Sequence, residues 1–365
     1  MKPNILSADI SNSFRMTTFL PSFKAVTLQI CLLSLVLSLP NSVVSHDITV
    51  REVWQFPNET WVENIAIRPN GQILVTIGSS PELYQLHPFG NRNPELIYQF
   101  PGATGVLGIA EIEPDIFAVI AGNFSIQTFS STNGSYSVWA VDMRTTESQD
   151  SDRVSCGAHA VKITDIPEAS FLNGMTLIDE GSQFVLIADS ELGVVWRLDF
   201  RTGDYEVILD NALMKPIPGE SPIGINGLHT RDGFLYFTNS IQGILARVPI
   251  HPNGSEAGAY HIVANTGAAD DFTFDQAGNA YVAQDPGDAL EKVTPSGQVK
   301  VILGGVNSTI VEGDTAAQFG RTLLDRFTLY VTTNGGIAGR VSGTEVVGGK
   351  VLAVDMPALL QDSGF

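Results

Sequence analysis

A repeat constrains this chain more than any other feature. From residue 47 onward, short β-branched and aromatic runs alternate with Gly, Asn, Asp and Pro punctuation, and almost no stretch has helical periodicity. The runs recur as a unit: an apolar strand, a D-x-x-G or P-N-G turn, a strand ending in small polar residues, then a strand closing with an aromatic or Leu before Asp. Ile65 to Thr76 with Glu82 to Leu86 is one copy. Met175 to Asp189 with Val194 to Asp199, Leu228 to Asn239 with Leu245 to Pro249, and Phe272 to Gln284 with Leu290 to Thr294 are three more. Less regular copies cover Leu107 to Asp142 and Thr328 to Asp355, which makes six. A unit of about 45 residues with about four short strands predicts an all-β, six-bladed propeller formed as a single domain. A parallel β-helix has a far shorter repeat, and a two-sheet sandwich would not give six alignable copies. The leading strand Thr49 to Phe56 has no blade of its own and is expected to pair with the last blade, closing the ring.

The first 45 residues read differently. Lys24 precedes an uncharged apolar run from Ala25 to Leu39 and a small-residue exit at Val43, Val44 and Ser45, the order of a secretory signal. The run is about 15 residues, short of the roughly 20 that span a hydrocarbon core. Residues 1–45 are therefore expected to be cleaved, leaving 46–365 as the propeller, extracellular and off the membrane. Cleavage removes Cys31 and leaves Cys156 alone, so no internal disulfide is expected. Sequons at Asn58, Asn123, Asn133, Asn253 and Asn307 fit a secretory route. A net charge of −19 opposes binding to nucleic acid, and the acidity serves either solubility or a cation site; the expected partner is a small-molecule substrate held in a central pocket.

In a propeller the innermost strands line a central tunnel, so polar residues at their starts converge. Glu63-Asn64, Asn173-Gly174, Asn226-Gly227 and Asp270-Asp271 stand just before or at those strands. The spacings Asn173 to Asn226 and Asn226 to Asp271 are 53 and 45 residues, about one blade each. Asn-Gly is also a turn dipeptide, and that reading competes with the central-site reading at each position taken singly. One Glu carboxylate, two Asn carbonyls and one Asp carboxylate are hard oxygen donors that suit calcium, whereas zinc would want His or Cys. The six histidines show no ligand spacing.

These motifs carry a resemblance. Glu-Asn before Ile-Ala-Ile-Arg-Pro-Asn-Gly, Leu-Asn-Gly, Ile-Asn-Gly-Leu and Asp-Asp-Phe-Thr-Phe-Asp are similar to the gluconolactonase and regucalcin-like six-bladed propellers, over roughly residues 47 to 357. That resemblance implies a divalent ion at the tunnel centre, held by Glu63, Asn173, Asn226 and Asp271, and hydrolysis of lactones or phosphoesters with Asp271 as base. The chain departs from the hydrolases: no His heads a tunnel strand, Asp270-Asp271 replaces the usual Pro-Asp or Asn-Asp-Gly context, and Phe272 follows. Strings at 105–111, 121–125, 135–139 and 236–240 resemble fungal secreted propellers, some of which are hetero-Diels–Alderases of tropolone meroterpenoid biosynthesis.

Such a cycloaddition joins a tropolone quinone methide to a humulene-type polyene. It needs orientation, a hydrogen-bond donor, an acid or a metal to help expel water and an apolar wall; it requires no cofactor, though a calcium ion at the tunnel centre is compatible with it. For that chemistry the chain offers amide donors at Asn173, Asn226, Asn239 and Asn334, a cation at Arg321, a proton carrier at Asp270 or Asp271, and Glu63 as a further substrate contact. Trp61, Phe272, Tyr281 and Phe319 would form the wall. The alternatives are a calcium-dependent lactonase or esterase and a non-catalytic propeller binding a protein or glycan on its top face.

Overall fold

The computed structural model describes residues 48–90, 92–144, 158–341 and 346–356. The expected leader, both cysteines and His46 lie outside them. Among the described residues, no helix is long and apolar enough to cross a membrane.

The chain folds into six four-stranded antiparallel sheets. Blade 1 spans Val62–Gln99, blade 2 Gly105–Asp165, blade 3 Leu172–Asp210, blade 4 Ile225–Asn265 and blade 5 Ala269–Gly304. Blade 6 takes Asp314–Phe319, Thr328–Thr333 and Lys350–Asp355, and its outermost strand is Thr49–Gln55, which pairs antiparallel with Lys350–Asp355. The repeat as read from sequence starts the sixth copy at Thr328 and misses its inner strand, Asp314–Phe319, because that strand lacks the apolar alternation of the others. A single 3-10 turn, Ala212–Met214, is the only helix among the described residues.

The burial pattern explains why the blades need one another. Middle strands such as Ile73–Ile77 are buried at every residue, which is possible only when both faces of a sheet are covered. Outer strands such as Glu95–Gln99 alternate with solvent. Six apolar clusters fill the six interfaces. Leu74 and Leu83 of blade 1 meet Val106 and Phe117 of blade 2, and Ala316, Tyr330 and Val351 of blade 6 meet Ile65 and Val75 of blade 1. Each such Leu, Ile or Val contributes roughly 1.5–3 kcal/mol on burial, and each finds a partner only from the next blade.

One backbone device recurs in five of the six inner strands, and the sixth has a shorter form of it. Two consecutive residues of the inner strand bulge opposite the middle strand, between Val62 and Ile65, Val106 and Ile109, Leu172 and Met175, Ile225 and Leu228, and Ala269 and Phe272. Blade 6 shifts between Asp314 and Ala316. A bulge kinks a strand and re-aims its side chains, so the same two positions of blades 1 to 5 turn toward the tunnel, while blade 6 has the single residue Thr315 in its shift. Asn173-Gly174 and Asn226-Gly227 are therefore bulge pairs inside strands, and the turn reading of those dipeptides is set aside.

Candidate active site

In blades 1 to 5 the first member of the bulge pair faces a cavity of about 240 Å³ at the start of the inner strands. Glu63, Leu107, Asn173, Asn226 and Asp270 are five first members, and all line that cavity. The second members are Asn64, Gly108, Gly174, Gly227 and Asp271. Here the inner strands approach closely: a Cβ on Gly174 would stand 2.4 Å from the Asn226 carbonyl oxygen, and one on Gly227 would stand 2.7 Å from the Asp271 Cα. Asn64 and Asp271 line a different, second cavity of about 420 Å³ toward the far ends of the strands.

This register corrects the predicted set by one residue. Asp270, and not Asp271, is in phase with Glu63, Asn173 and Asn226. Asp271 instead accepts from Asn64 Nδ2 at 2.8 Å and from the Phe272 N–H at 2.7 Å, and His229 Nε2 stands 3.5 Å from it. Its placement removes it from the first cavity, as base and as ion ligand alike.

The apolar wall also differs from expectation. Trp61 lines the first cavity, together with Phe124, Phe129, Phe171 and Ile223. Phe272 and Tyr281 are fully buried between blades, and the Tyr281 hydroxyl donates to Asp275 at 3.1 Å. Phe319 and Arg321 line the second cavity, where Arg321 is occupied by an ion pair with Glu111 at 2.5 Å. Asn239 is fully buried and holds the carbonyls of Leu213 and Lys215, each at 3.0 Å. Asn334 is likewise buried, but it reaches the site indirectly: its Nδ2 donates to Asp285 Oδ2 at 2.8 Å.

Asp285 joins the cavity residues from outside the repeated pattern. It lies in the four-residue link between the second and third strands of blade 5, residues 285–288, before the cis-linked Pro286, and both residues line the first cavity. Nothing in the repeat marks that link as central.

Three carboxyl groups thus share one buried, largely apolar space. Burial pushes Glu63 up to about 8; the Trp61 indole N–H, which donates to Glu63 Oε2, opposes the rise, and the charges of Asp285 and Asp271 add to it. Burial raises Asp270 well above the ordinary carboxyl range, reinforced by Glu63, Asp285 and Asp271. Asp285 is pushed up to about 7, chiefly by burial, with the Asn334 amide pulling it down. Three charges cannot be held together without water or counter-ions. At neutral pH the pocket therefore holds neutral carboxylic acids beside one carboxyl near its midpoint.

The oxygen donors are of the type calcium prefers. Among the described residues, however, no three of His, Cys, Asp and Glu converge as ligands, and Glu63 Oε2 is taken by an N–H donor. The fit is to donor type and not to convergence.

The fold and this site define a six-bladed β-propeller with an acid-floored, aromatic-walled cavity at one end of its tunnel. A protein from Phoma sp. named "Putative hetero-Diels-Alderase" is 29% identical over 310 residues, covering 78% of this chain and 86% of that protein. Another of that description from Sarocladium schorii is 28% identical over 327 residues, covering 80% of each. The fold is shared with the calcium-binding protein regucalcin of Agrobacterium tumefaciens, at TM-score 0.58 and 15% identity over 85% of this chain and 96% of that one. It is shared too with a gluconolactonase of Xanthomonas campestris, at TM-score 0.54 and 12% identity over 86% and 90%. No family model matches the chain.

Proposed function

We propose that the protein is a hetero-Diels–Alderase that joins a tropolone quinone methide to a humulene-type polyene. The observation that carries this reading is the pairing of neutral acids on the floor of the first cavity with an aromatic wall above them. Likeness along most of the chain to two proteins of that description supports it.

The chemistry assigns roles to the three carboxyls. A hydroxymethyl-tropolone precursor takes a proton from Glu63 on its leaving hydroxyl and loses water. Its ring hydroxyl gives a proton to the Asp285 carboxylate, and the quinone methide remains. Asp285 then returns that proton to Glu63, so the step releases one water and leaves the protein unchanged. In the cycloaddition the ring oxygen bonds one alkene carbon, the exocyclic carbon bonds the other, and no atom is lost. The neutral Asp270 carboxyl, with the amides of Asn173 and Asn226, donates to that oxygen and draws electron density from the heterodiene. The wall of Trp61, Phe124, Phe129 and Phe171 holds the polyene against it, and fixed orientation alone is worth ~7 kcal/mol or more. This sequence needs no cofactor.

A second reading, a calcium-dependent lactonase or esterase, is favoured by the common register of Glu63, Asn173, Asn226 and Asp270. Product analysis separates the two. The purified protein is incubated with the tropolone precursor and α-humulene, and in parallel with simple lactones, with and without chelator. A stereodefined adduct that survives chelation is the expected result. Lactone hydrolysis lost on chelation, without adduct, replaces the proposal with the hydrolase. Secretion belongs to the same proposal, and a mature N-terminus at His46 in the culture medium is its test.

A further inference from the structure

Blade 2 departs from its neighbours at one place. In blades 1, 3, 4 and 5 the second and third strands are joined by four residues each, 78–81, 190–193, 240–243 and 285–288, whereas blade 2 uses residues 123–136. The insertion forms a hairpin of its own, with Phe124-Ser125 paired to Ser130-Ser131. Polar clasps fix it in place. The Thr104 hydroxyl both donates to the Phe124 carbonyl and accepts from the Phe124 N–H, each at 3.0 Å. Ser131 Oγ lies 2.8 Å from the Ser170 carbonyl oxygen and 3.0 Å from Glu191 Oε1, which ties the hairpin to blade 3.

The insertion brings two aromatic rings to the first cavity. Phe124 stacks on Phe171 at 5.1 Å with an interplanar angle of 7°, and the hairpin's rings approach Trp61 at 6.3 Å for Phe124 and 6.1 Å for Phe129. Phe129 is set apart by its backbone, with φ at +50°, the left-handed region that Gly and Asn occupy without penalty and a bulky residue does not. The residue is also 41% exposed, so part of its apolar surface is left open to solvent in the free protein. Backbone strain and an exposed apolar surface, both of them costs to the free protein, meet in one residue on the wall of a cavity.

We propose that Phe129 is the specificity-determining contact for the hydrocarbon reactant. Its ring completes, with Trp61, Phe124 and Phe171, an aromatic face on which a cyclic polyene packs. The hydrocarbon covers the exposed part of the ring, and the pre-formed hairpin means that little ordering is left for binding to do. This inference rests on the cycloaddition reading for the identity of the hydrocarbon, and on the geometry alone for the site.

The test titrates α-humulene into the full-length protein and into Phe129→Gly, following tryptophan emission, and records the Tm of both. Glycine relieves the left-handed backbone, so the variant's Tm is expected to be unchanged or higher, while its humulene affinity falls about tenfold. Phe129→Tyr, which keeps the ring, is expected to retain the affinity. Unchanged humulene affinity in Phe129→Gly overturns the inference. A lowered Tm overturns it as well, because the ring would then serve the fold, and so does failure of the wild-type protein to bind humulene. Humulene binding that depends on Phe129, with no adduct formed, leaves the inference standing and removes the cycloaddition reading. Adduct formation with affinity indifferent to Phe129 does the reverse.

Discussion

The side-chain N–H of Asn64 donates to Oδ2 of Asp271 at 2.8 Å, linking the inner strands of blades 1 and 5 across the tunnel. Both residues stand at the bulge position that Gly108, Gly174 and Gly227 fill in blades 2 to 4. The glycines let neighbouring strands close on one another, and the Asn–Asp bond spans the space that remains. It lies on the far side of the bulges from the acid-floored cavity, so two adjacent aspartates have separate duties: Asp270 faces the proposed chemistry and Asp271 holds the tunnel together.

Asp271→Ala is accordingly expected to destabilise the fold. It strands the Asn64 amide and the Phe272 N–H in a buried setting, at a cost of about 1–3 kcal/mol. Asp270→Asn is expected to leave Tm near the wild-type value and to slow adduct formation. Thermal unfolding and product assay of the two variants check this, and the opposite pattern would return Asp271 to the reaction.

Glu63→Gln removes the proton donor but keeps a group of the same shape that accepts from Trp61. Loss of a general acid costs about 10²–10⁴ in rate. The expected result is a fall of that size in adduct formed from the hydroxymethyl precursor, with a smaller fall when the quinone methide is supplied preformed. Equal falls for both substrates would show that Glu63 does not expel water.

Activity needs Glu63 protonated and Asp285 ionised, so its pH profile is expected to be a narrow bell between about 7, where Asp285 titrates, and about 8, where Glu63 titrates. The indole N–H of Trp61 holds the Glu63 value down. Trp61→Phe keeps an aromatic wall without that donor, and the alkaline limb is expected to move to higher pH. A limb that stays put would remove Glu63 from the profile.

Stability is expected to fall as pH rises from about 4 to about 8. Glu63 goes from an ordinary 4.5 to about 8 in the folded protein, and Asp285 from 3.8 to about 7. The native state keeps these protons after the unfolded chain has released its own, so stability is full below the ordinary values and declines until the raised ones are passed. Urea unfolding across that window measures the slope, and Glu63→Gln should flatten it. A wild-type stability that rises through the window would contradict the burial of these groups as neutral acids.

The repeat made the propeller legible, because an apolar strand, a glycine turn and a polar strand end recur at blade spacing whatever the surrounding residues. The same phase brought Glu63, Asn173 and Asn226 to one point, since residues in register on successive inner strands must converge on the tunnel. It failed at Asp270 and Asp271, where two acids sit side by side and only the bulge decides which side chain faces which cavity. Sequence places Phe272 and Tyr281 on the wall because an aromatic near a tunnel strand carries no mark of the face it occupies; packing against the next blade puts both in the core.

Phe124, Phe129 and Asp285 lie in links between second and third strands, outside the repeated pattern. Their distance from Glu63 along the chain carries no periodic signal, and it is ring closure that folds those links over the same cavity. The sequence by itself determined the blades and three of the polar groups that meet between them, because both follow from local patterning repeated in phase. The tertiary structure alone decided which acids share a dry pocket and which rings cover it, because burial and proximity between distant segments exist only once six blades have packed against one another.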